Sequence, residues 1–398
     1  MWPLVLAATA GLSGSALFAY SSGVFMEETT AAFGWSRAQF SGAFMLQMCL
    51  GIFILPAVGR LTDRYGPRRI VLWGALPFAA SISLLGLATG SILQWWLLCG
   101  LIAIGQGTIA QTVWVTAVIG RFNASRGLAM AVTLSGLSLG SLVWPPLAAY
   151  FVQTLGWRAA YPALAVTWLV IVLPLVAAFF FGASHKAENP KLKNPGVSYL
   201  AQLKTPTFIG LMIAGGFFAS AYYGLTIQIV PMLKSNGLSL GLAASIAGLA
   251  GLFAIIGRLL AGYLLDRFPT RPIGVAAFLL PIGASLLLLS MDGSTVLAVC
   301  SVALLGLAAG AEMDIITFIA ARHFGREVFA SVYSVFVAVI AICASSGPML
   351  AGALFDARGS YDFFLIAVIG LVAVGAAVIA IIPIASSADA DQDLTNLE

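Results

Sequence analysis

Charge is what this sequence has least of. Asp, Glu, Lys and Arg together make up 9% of its 398 residues, and only two residues are His. A water-soluble domain carries about a quarter charged residues, so water is excluded as the main solvent of this chain. No glycine-rich nucleotide loop, metal-ligand spacing or nucleophile-and-base pattern is present, which argues against an ATP-driven pump, a metal site, a cofactor or an enzyme. The four cysteines (Cys49, Cys99, Cys300, Cys343) all lie in apolar runs and read as small core residues, not as disulfides or metal ligands. His185 and His323 read as solvated loop residues. No basic start precedes the first apolar run, which continues through Gly11, Gly14 and Tyr20, so a retained helix is expected instead of a cleaved signal. The net charge of +4 gives no reason to expect nucleic acid.

Apolar side chains fill the space that charge leaves. Hydrophobic residues reach 61% and mean hydropathy is +1.02, so a lipid bilayer is the expected solvent. One crossing takes about 20 apolar residues. The pattern predicts helices over 4–26, 37–59, 70–90, 94–119, 127–153, 159–182, 207–230, 239–264, 273–291, 295–320, 328–352 and 363–385. The expected fold class is an all-α membrane protein with twelve transmembrane helices in two pseudo-symmetric six-helix bundles, residues 1–182 and 207–385. The polar, basic, proline-bearing stretch 183–206 reads as a linker loop, and 386–398 as a polar tail. The 42 glycines suit helices that pack closely in lipid.

Basic residues set the expected orientation. One set of loops holds fourteen Lys or Arg; the other holds only Arg37, Arg158, Lys234 and Arg358. By the positive-inside rule the richer set is cytoplasmic, with both termini inside, in the plasma membrane or a bacterial inner membrane. Trp35, Trp95, Trp96 and Trp157 fall near span ends, where indoles favour the interface. The chain also repeats itself. Gly59, Asp63, Arg64 and Arg68 recur as Gly262, Asp266, Arg267 and Arg271, each 203 residues on, and Pro146 is matched by Pro348. Arg258 has no counterpart and stands inside an apolar run.

The stretch from Gly59 through Asp63, Arg64, Gly66, Arg68 and Arg69 resembles the loop 2–3 signature of the major facilitator superfamily, and its repeat after helix 8 extends the likeness over essentially the whole chain. Phe33-Gly34-Trp35-Ser36 before helix 2, the run from Arg121 to Arg126 leading into Gly136, Gly140 and Pro145-Pro146, and Arg258 with Gly262 on helix 8 are similar to the monocarboxylate transporters and the oxalate–formate antiporter group. The resemblance implies alternating access by two halves and a cavity lined by helices 1, 4, 5 and 7. Three positions depart from those patterns. Tyr20 stands where animal monocarboxylate transporters use a helix 1 lysine. Ala254 replaces an aspartate one turn before Arg258. Helix 11 lacks the antiporter's lysine, which weakens a dicarboxylate reading.

Arg258 lies eight residues before Asp266 at the membrane edge, or about 12 Å into the hydrocarbon. A charge there costs about 2.5–3.5 kcal/mol unless it is paired or faces a water-filled cavity. It either binds a substrate carboxylate through two parallel hydrogen bonds or ties helices together as a structural ion pair. Glu312 and Asp314 on helix 10 lie eight to ten residues before Arg322, at the same depth. They point about 200° apart around the helix, so only one can face the cavity. Asp314, in line with Gly310 and Thr317, has the more polar face; Glu312 is the alternative. A desolvated carboxylate favours its protonated form, whereas a neighbouring guanidinium favours the ionised form. An anion that takes Arg258 would thereby load a proton on the carboxylate.

Tyr20, Gln111, Trp114, Ser135, Tyr222, Tyr223 and Gln228 are polar or aromatic residues inside the lining helices, and each reads either as a ligand contact or as packing. Tyr222 and Tyr223, being adjacent, face different ways. Asp63, Arg64, Arg68, Asp266, Arg267 and Arg271 read as a cytoplasmic gate pairing across the halves or as topology determinants. The expected function is secondary transport of a small organic anion, monocarboxylate-like, in symport with a proton. The expected working unit is a monomer in the bilayer. Organic-anion exchange is the alternative, and drug or metabolite efflux a further one.

Overall fold

The computed structural model describes residues 2–119, 121, 126–180, 202–324 and 329–382, and among them there are helices and turns but no strand. α1 spans Trp2–Phe33, α2 Arg37–Tyr65 and α3 Pro67–Leu84. α4 (Ile92–Thr108) and α5 (Gln111–Ile119) share one crossing. The stretch Arg126–Phe179 is helical except at Gly156 (φ 77°, ψ 159°), which divides it into α6 (126–155) and α7 (157–179). Six more follow: α8 Pro206–Ser235, α9 Leu240–Leu265, α10 Thr270–Leu289, α11 Thr295–His323, α12 Phe329–Arg358 and α13 Asp362–Ile381.

Eleven described helical stretches are long and apolar enough to cross a membrane, and one of them, Leu128–Phe179, has 52 residues. At 1.5 Å per residue that is about 78 Å, far more than one bilayer core. The chain reverses at Gly156. α6 runs beside α1 in the same direction, with Gly136 against Thr9 and Gly140 against Ser13. α7 runs back, with Tyr161 stacked on Phe25 and Trp168 against Gly14. Twelve crossings result among the described residues. Trp2 and Ile381 therefore emerge on one face, the terminal face, opposite the distal face. Most of the expected linker, the expected tail, His185, and the side chains of Arg126, Arg322 and Arg326 lie outside the described residues.

The repeat is written most plainly in the distal turns. Each of the six holds a glycine at positive φ: Gly34, Gly90 and Gly156, then Gly237, Gly293 and Gly359. Side chains disfavour that backbone region, and the two sets are 203 residues apart throughout. Two N-cap serines follow the same spacing, Ser36 with Ser239 and Ser91 with Ser294. Packing repeats too: α2 on α4 is matched by α9 on α11, and α3 on α4 by α10 on α11.

Residues 94–119 were expected as one helix, but the helix breaks at Ile109 (φ −109°, ψ 18°). The carbonyl freed there accepts from Ser15 Oγ (3.0 Å) and from Trp114 Nε1 (2.8 Å). Inside hydrocarbon a break needs such internal partners. Trp95, expected at the interface, is fully buried and donates to the Phe40 carbonyl.

The two sets of six crossings meet through α1 with α8, α2 with α12 and α6 with α9. A hydrogen-bonded lock closes the distal side. Asp356, on α12, accepts from the backbone N–H groups of Arg37 (3.0 Å) and Ala38 (2.9 Å), so its carboxylate sits on the N-terminus of α2. Arg37 bonds Tyr361 and lies 3.6 Å over the Phe355 ring. Tyr361 donates to Gln228 Oε1 (2.8 Å); Gln228 Nε2 donates to Ser41 Oγ and the Pro348 carbonyl. Burial, foremost, raises the Tyr361 hydroxyl above its ordinary value, which keeps it a donor. Glu27 pairs with Lys234 nearby. All four distal cations have such partners: Arg158 donates to the Gly86 and Ala88 carbonyls, and Arg358 lies 4.3 Å from the Phe363 ring centroid.

Removing a helix-capping carboxylate costs about 1 kcal/mol, about a fivefold change in population. Asp356→Ala should therefore lengthen the distance distribution between spin labels placed on exposed Leu93 and Val296 at the distal ends of α4 and α11. An unchanged distribution would remove Asp356 from the lock.

Candidate functional site

α9 and α11 touch almost backbone to backbone. A Cβ on Gly310 would lie 2.1 Å from the Ala254 carbonyl oxygen, and one on Gly257 2.3 Å from that of Leu307. This small-residue seam sets Arg258 and Asp314 in one layer. Arg258 Nε lies 3.5 Å from Asp314 Oδ2, with side chains 38% and 40% exposed. The pair is longer than a hydrogen bond, and Arg258 Nε has no hydrogen-bond partner. Both groups are open enough for a third to enter.

Glu312 faces elsewhere. It is 7% exposed, and its Oε1 has no hydrogen-bond partner. It lies within electrostatic reach of Tyr222 and Tyr223 on α8 and of Asp314 on its own helix. The two tyrosine rings meet edge to face, 5.4 Å between centroids. Tyr222 is buried, Tyr223 half-buried. The Tyr222 hydroxyl is 3.4 Å from that of Tyr20 on α1, and Tyr20 is within electrostatic reach of Arg258. Arg258, Asp314, Glu312, Tyr20, Tyr222 and Tyr223 thus form one cluster drawn from α1, α8, α9 and α11.

Four expected contacts are not in that cluster. Trp114 is fully buried in the first half, against Gly11 and Phe180, with its N–H on the Ile109 carbonyl. Gln228 is fully buried, and its amide is occupied by the distal lock. Ser135 is half-buried and bonds the Ala131 carbonyl one turn back on its own helix. Gln111 opens α5 and is exposed.

The arginines read as a gate across the halves have partners within their own halves. Arg68 Nη2 donates to the Ala177 carbonyl at the end of α7, and Arg271 Nη2 to the Ile382 carbonyl just past α13, both at 3.0 Å. Each thus satisfies a C-terminal carbonyl of the last helix of its half. Arg267 bonds the Tyr263 hydroxyl (2.7 Å), and Arg64 lies 5.2 Å from the Tyr65 ring centroid. Asp63 and Asp266 are exposed.

A polar network in the first half was missed. Gln47 Nε2 donates to Gln106 Oε1 (2.6 Å), and Gln106 Nε2 to the Ser15 carbonyl (3.0 Å), joining α2, α4 and α1 beside the α4–α5 break. Two amides inside apolar runs were the available signal.

The chain matches the Major Facilitator Superfamily over residues 6–348. It is 27% identical to Monocarboxylate transporter 13 of Bos taurus over 249 residues, which cover 63% of this chain and 58% of that protein. It is 32% identical to the Agnestins efflux protein AgnL12 of Paecilomyces divaricatus over 218 residues, 52% of this chain and 47% of that one. The chain thus spans about half the length of these two relatives. An MFS-type transporter of Gibberella moniliformis is 27% identical over 375 residues, 90% of this chain and 84% of that protein. Among solved structures, a bacterial homologue of the human lysosomal transporter Spinster, in an inward-facing and unoccupied conformation, gives a TM-score of 0.68 at 17% identity, covering 95% of this chain and 93% of that one. That likeness is one of fold, and it agrees with the twelve crossings and the repeat. The match spans well over half of the sequence, and the chain belongs to the Major Facilitator Superfamily.

Proposed function

We propose that this transporter carries a small organic anion, monocarboxylate-like, together with a proton. The observation that carries the reading is the loose, half-exposed Arg258–Asp314 pair at mid-membrane depth. A guanidinium in that layer needs an anion, and a carboxylate substrate can offer two parallel hydrogen bonds in place of one 3.5 Å contact. Substrate and Asp314 then compete for the same cation. When the substrate wins, Asp314 takes up a proton, and Arg258, the anion and Asp314 together are neutral. The charged neighbours of Asp314 are Arg258 from α9 and Glu312 on its own helix; Tyr222 and Tyr223 from α8 face Glu312, and Tyr20 from α1 faces Arg258.

The distal lock supports a carrier open toward the terminal face, which the basic loops make the cytoplasmic one. Opening the other way requires the Asp356 and Gln228 bonds to break. The identity to an efflux protein favours a second reading, in which the same anions are exported; the site serves either direction, and the gradients decide.

Two experiments test the assignment. Acetate, pyruvate and butyrate should each stabilise the purified protein against heat. Arg258→Gln should weaken that binding at least tenfold, since a charge-assisted bond is worth about 1.5–3 kcal/mol; equal stabilisation of the variant would remove Arg258 from the site. For coupling, an acid outside solution should drive accumulation of the best-binding acid into proteoliposomes. Asp314→Asn should retain counterflow but lose accumulation. Loss in Glu312→Gln alone would move the proton to Glu312, and accumulation by both variants would end the proton assignment.

A further inference from the structure

Two of the contacts between the halves are copies of one arrangement, α12 on α2 and α6 on α9. A step of 203 residues turns Ala38, Met45 and Met48 of α2 into Gly241, Gly248 and Gly251 of α9, and Gln153 of α6 into Asp356 of α12. The frame is shared and the chemistry is not. We infer that the two contacts differ in mechanical role: α2–α12 is a latch that releases when the distal side opens, and α6–α9 is the pivot about which the halves turn. The inference goes beyond the transport reading above and does not depend on what is carried.

The α6–α9 contact is a backbone seam. Gly248 and Gly251 are buried. A Cβ on Gly248 would lie 2.6 Å from the Leu142 carbonyl oxygen, and one on Gly251 2.0 Å from that of Ser138. At the distal end Gln153 Nε2 comes within 3.5 Å of the place a Cβ on Gly241 would take. From Gly241 to Gly251 is about 15 Å of helix, about half of a bilayer core. Residues 127–155 and 240–257 contain no charge. Close packing of small residues holds such a seam. Pulling it apart would strip contacts along its whole length, and each is small but their sum is large. Turning about it keeps most of them.

The α2–α12 contact is tight at its distal tip. A Cβ on Gly352 would lie 2.6 Å from the Ala38 backbone nitrogen, and one turn further out Asp356 accepts from the N–H groups of Arg37 and Ala38. Inward from the tip, the face of α2 that holds Ala38 and Ser41 continues with Met45 and Met48. Met45 is 41% exposed and Met48 half-buried, so a side chain stands where the seam has none. Methionine is unbranched and adapts as its surroundings move. Asp356 is exposed, so water replaces its bonds as they part and no polar group is stranded. The third contact, α1 on α8, lies between these extremes: Gly23 packs on the Ile227 carbonyl, and the Glu27–Lys234 pair closes its distal end. Among the described residues, α6–α9 is the contact of the three with no charged group at its distal end.

Spin-label distances in the full chain, reconstituted in lipid nanodiscs, separate latch from pivot. Labels on exposed Leu93 and Ala353 span the latch, and labels on exposed Leu155 and Leu242 span the pivot. Asp356→Ala, which removes one exposed side chain and leaves both cores intact, should raise the longer-distance population across the latch about fivefold. It should leave the pivot pair unchanged. Gln153→Ala should change neither pair. A shift confined to the latch cannot come from misfolding, which would spread both distributions. Equal lengthening of both pairs by Asp356→Ala, lengthening across the pivot in either variant, or no change across the latch would overturn the assignment.

Discussion

A guanidinium about 12 Å inside hydrocarbon needs a polar partner or a water-filled cavity beside it, and the second half supplies an anion. The anion is Asp314, and the seam between α9 and α11 puts it there: Gly306, Gly310 and Gly257 let two backbones approach so closely that Arg258 and Asp314 share a layer. The pair is not buried like an inert structural bridge. Both side chains keep more than a third of their surface, so the constraint that forces them together leaves their contact open to exchange. On the proposed reading that exchange is the transport event.

The first half answers the same solvent with neutral groups. Gln47, Gln106, Ser15 and the freed Ile109 carbonyl satisfy one another around the α4–α5 break. No charge is spent there, which leaves Arg258 and the α11 carboxylates, Glu312 and Asp314, as the charged groups of the central layer. The distal lock supplies the complementary restraint, holding the halves with bonds to a helix terminus and a buried amide.

Much of this was legible in the sequence, for particular reasons. Arg258 and Asp314 could be set at one depth because helix rise is constant and both are counted from charged edges. The twelve crossings followed from apolar run lengths, including the break expected between 153 and 159, where Gly156 alone leaves helical geometry. For Trp114 and Gln228, read as either ligand contacts or packing, the structure shows packing; a helical wheel shows that a side chain faces inward but not which neighbour receives it. Gly11 opens the space that Trp114 fills, and Gln228 meets Ser41 and Tyr361 from other helices. Asp356 was out of reach because its partner on α2 is 319 residues away. For Arg68 and Arg271, read as a gate across the halves or as topology determinants, the carbonyls they bond carry no side-chain signal.

The central claim is that substrate and Asp314 compete for Arg258 and that the displaced carboxylate takes a proton. The most direct measurement is the proton balance of binding itself, read with a pH electrode in a weakly buffered solution of purified protein as a saturating monocarboxylate is added. The account predicts uptake of about one proton per anion bound, and none in Asp314→Asn. Saturable anion binding with no proton taken up by the wild type would contradict it.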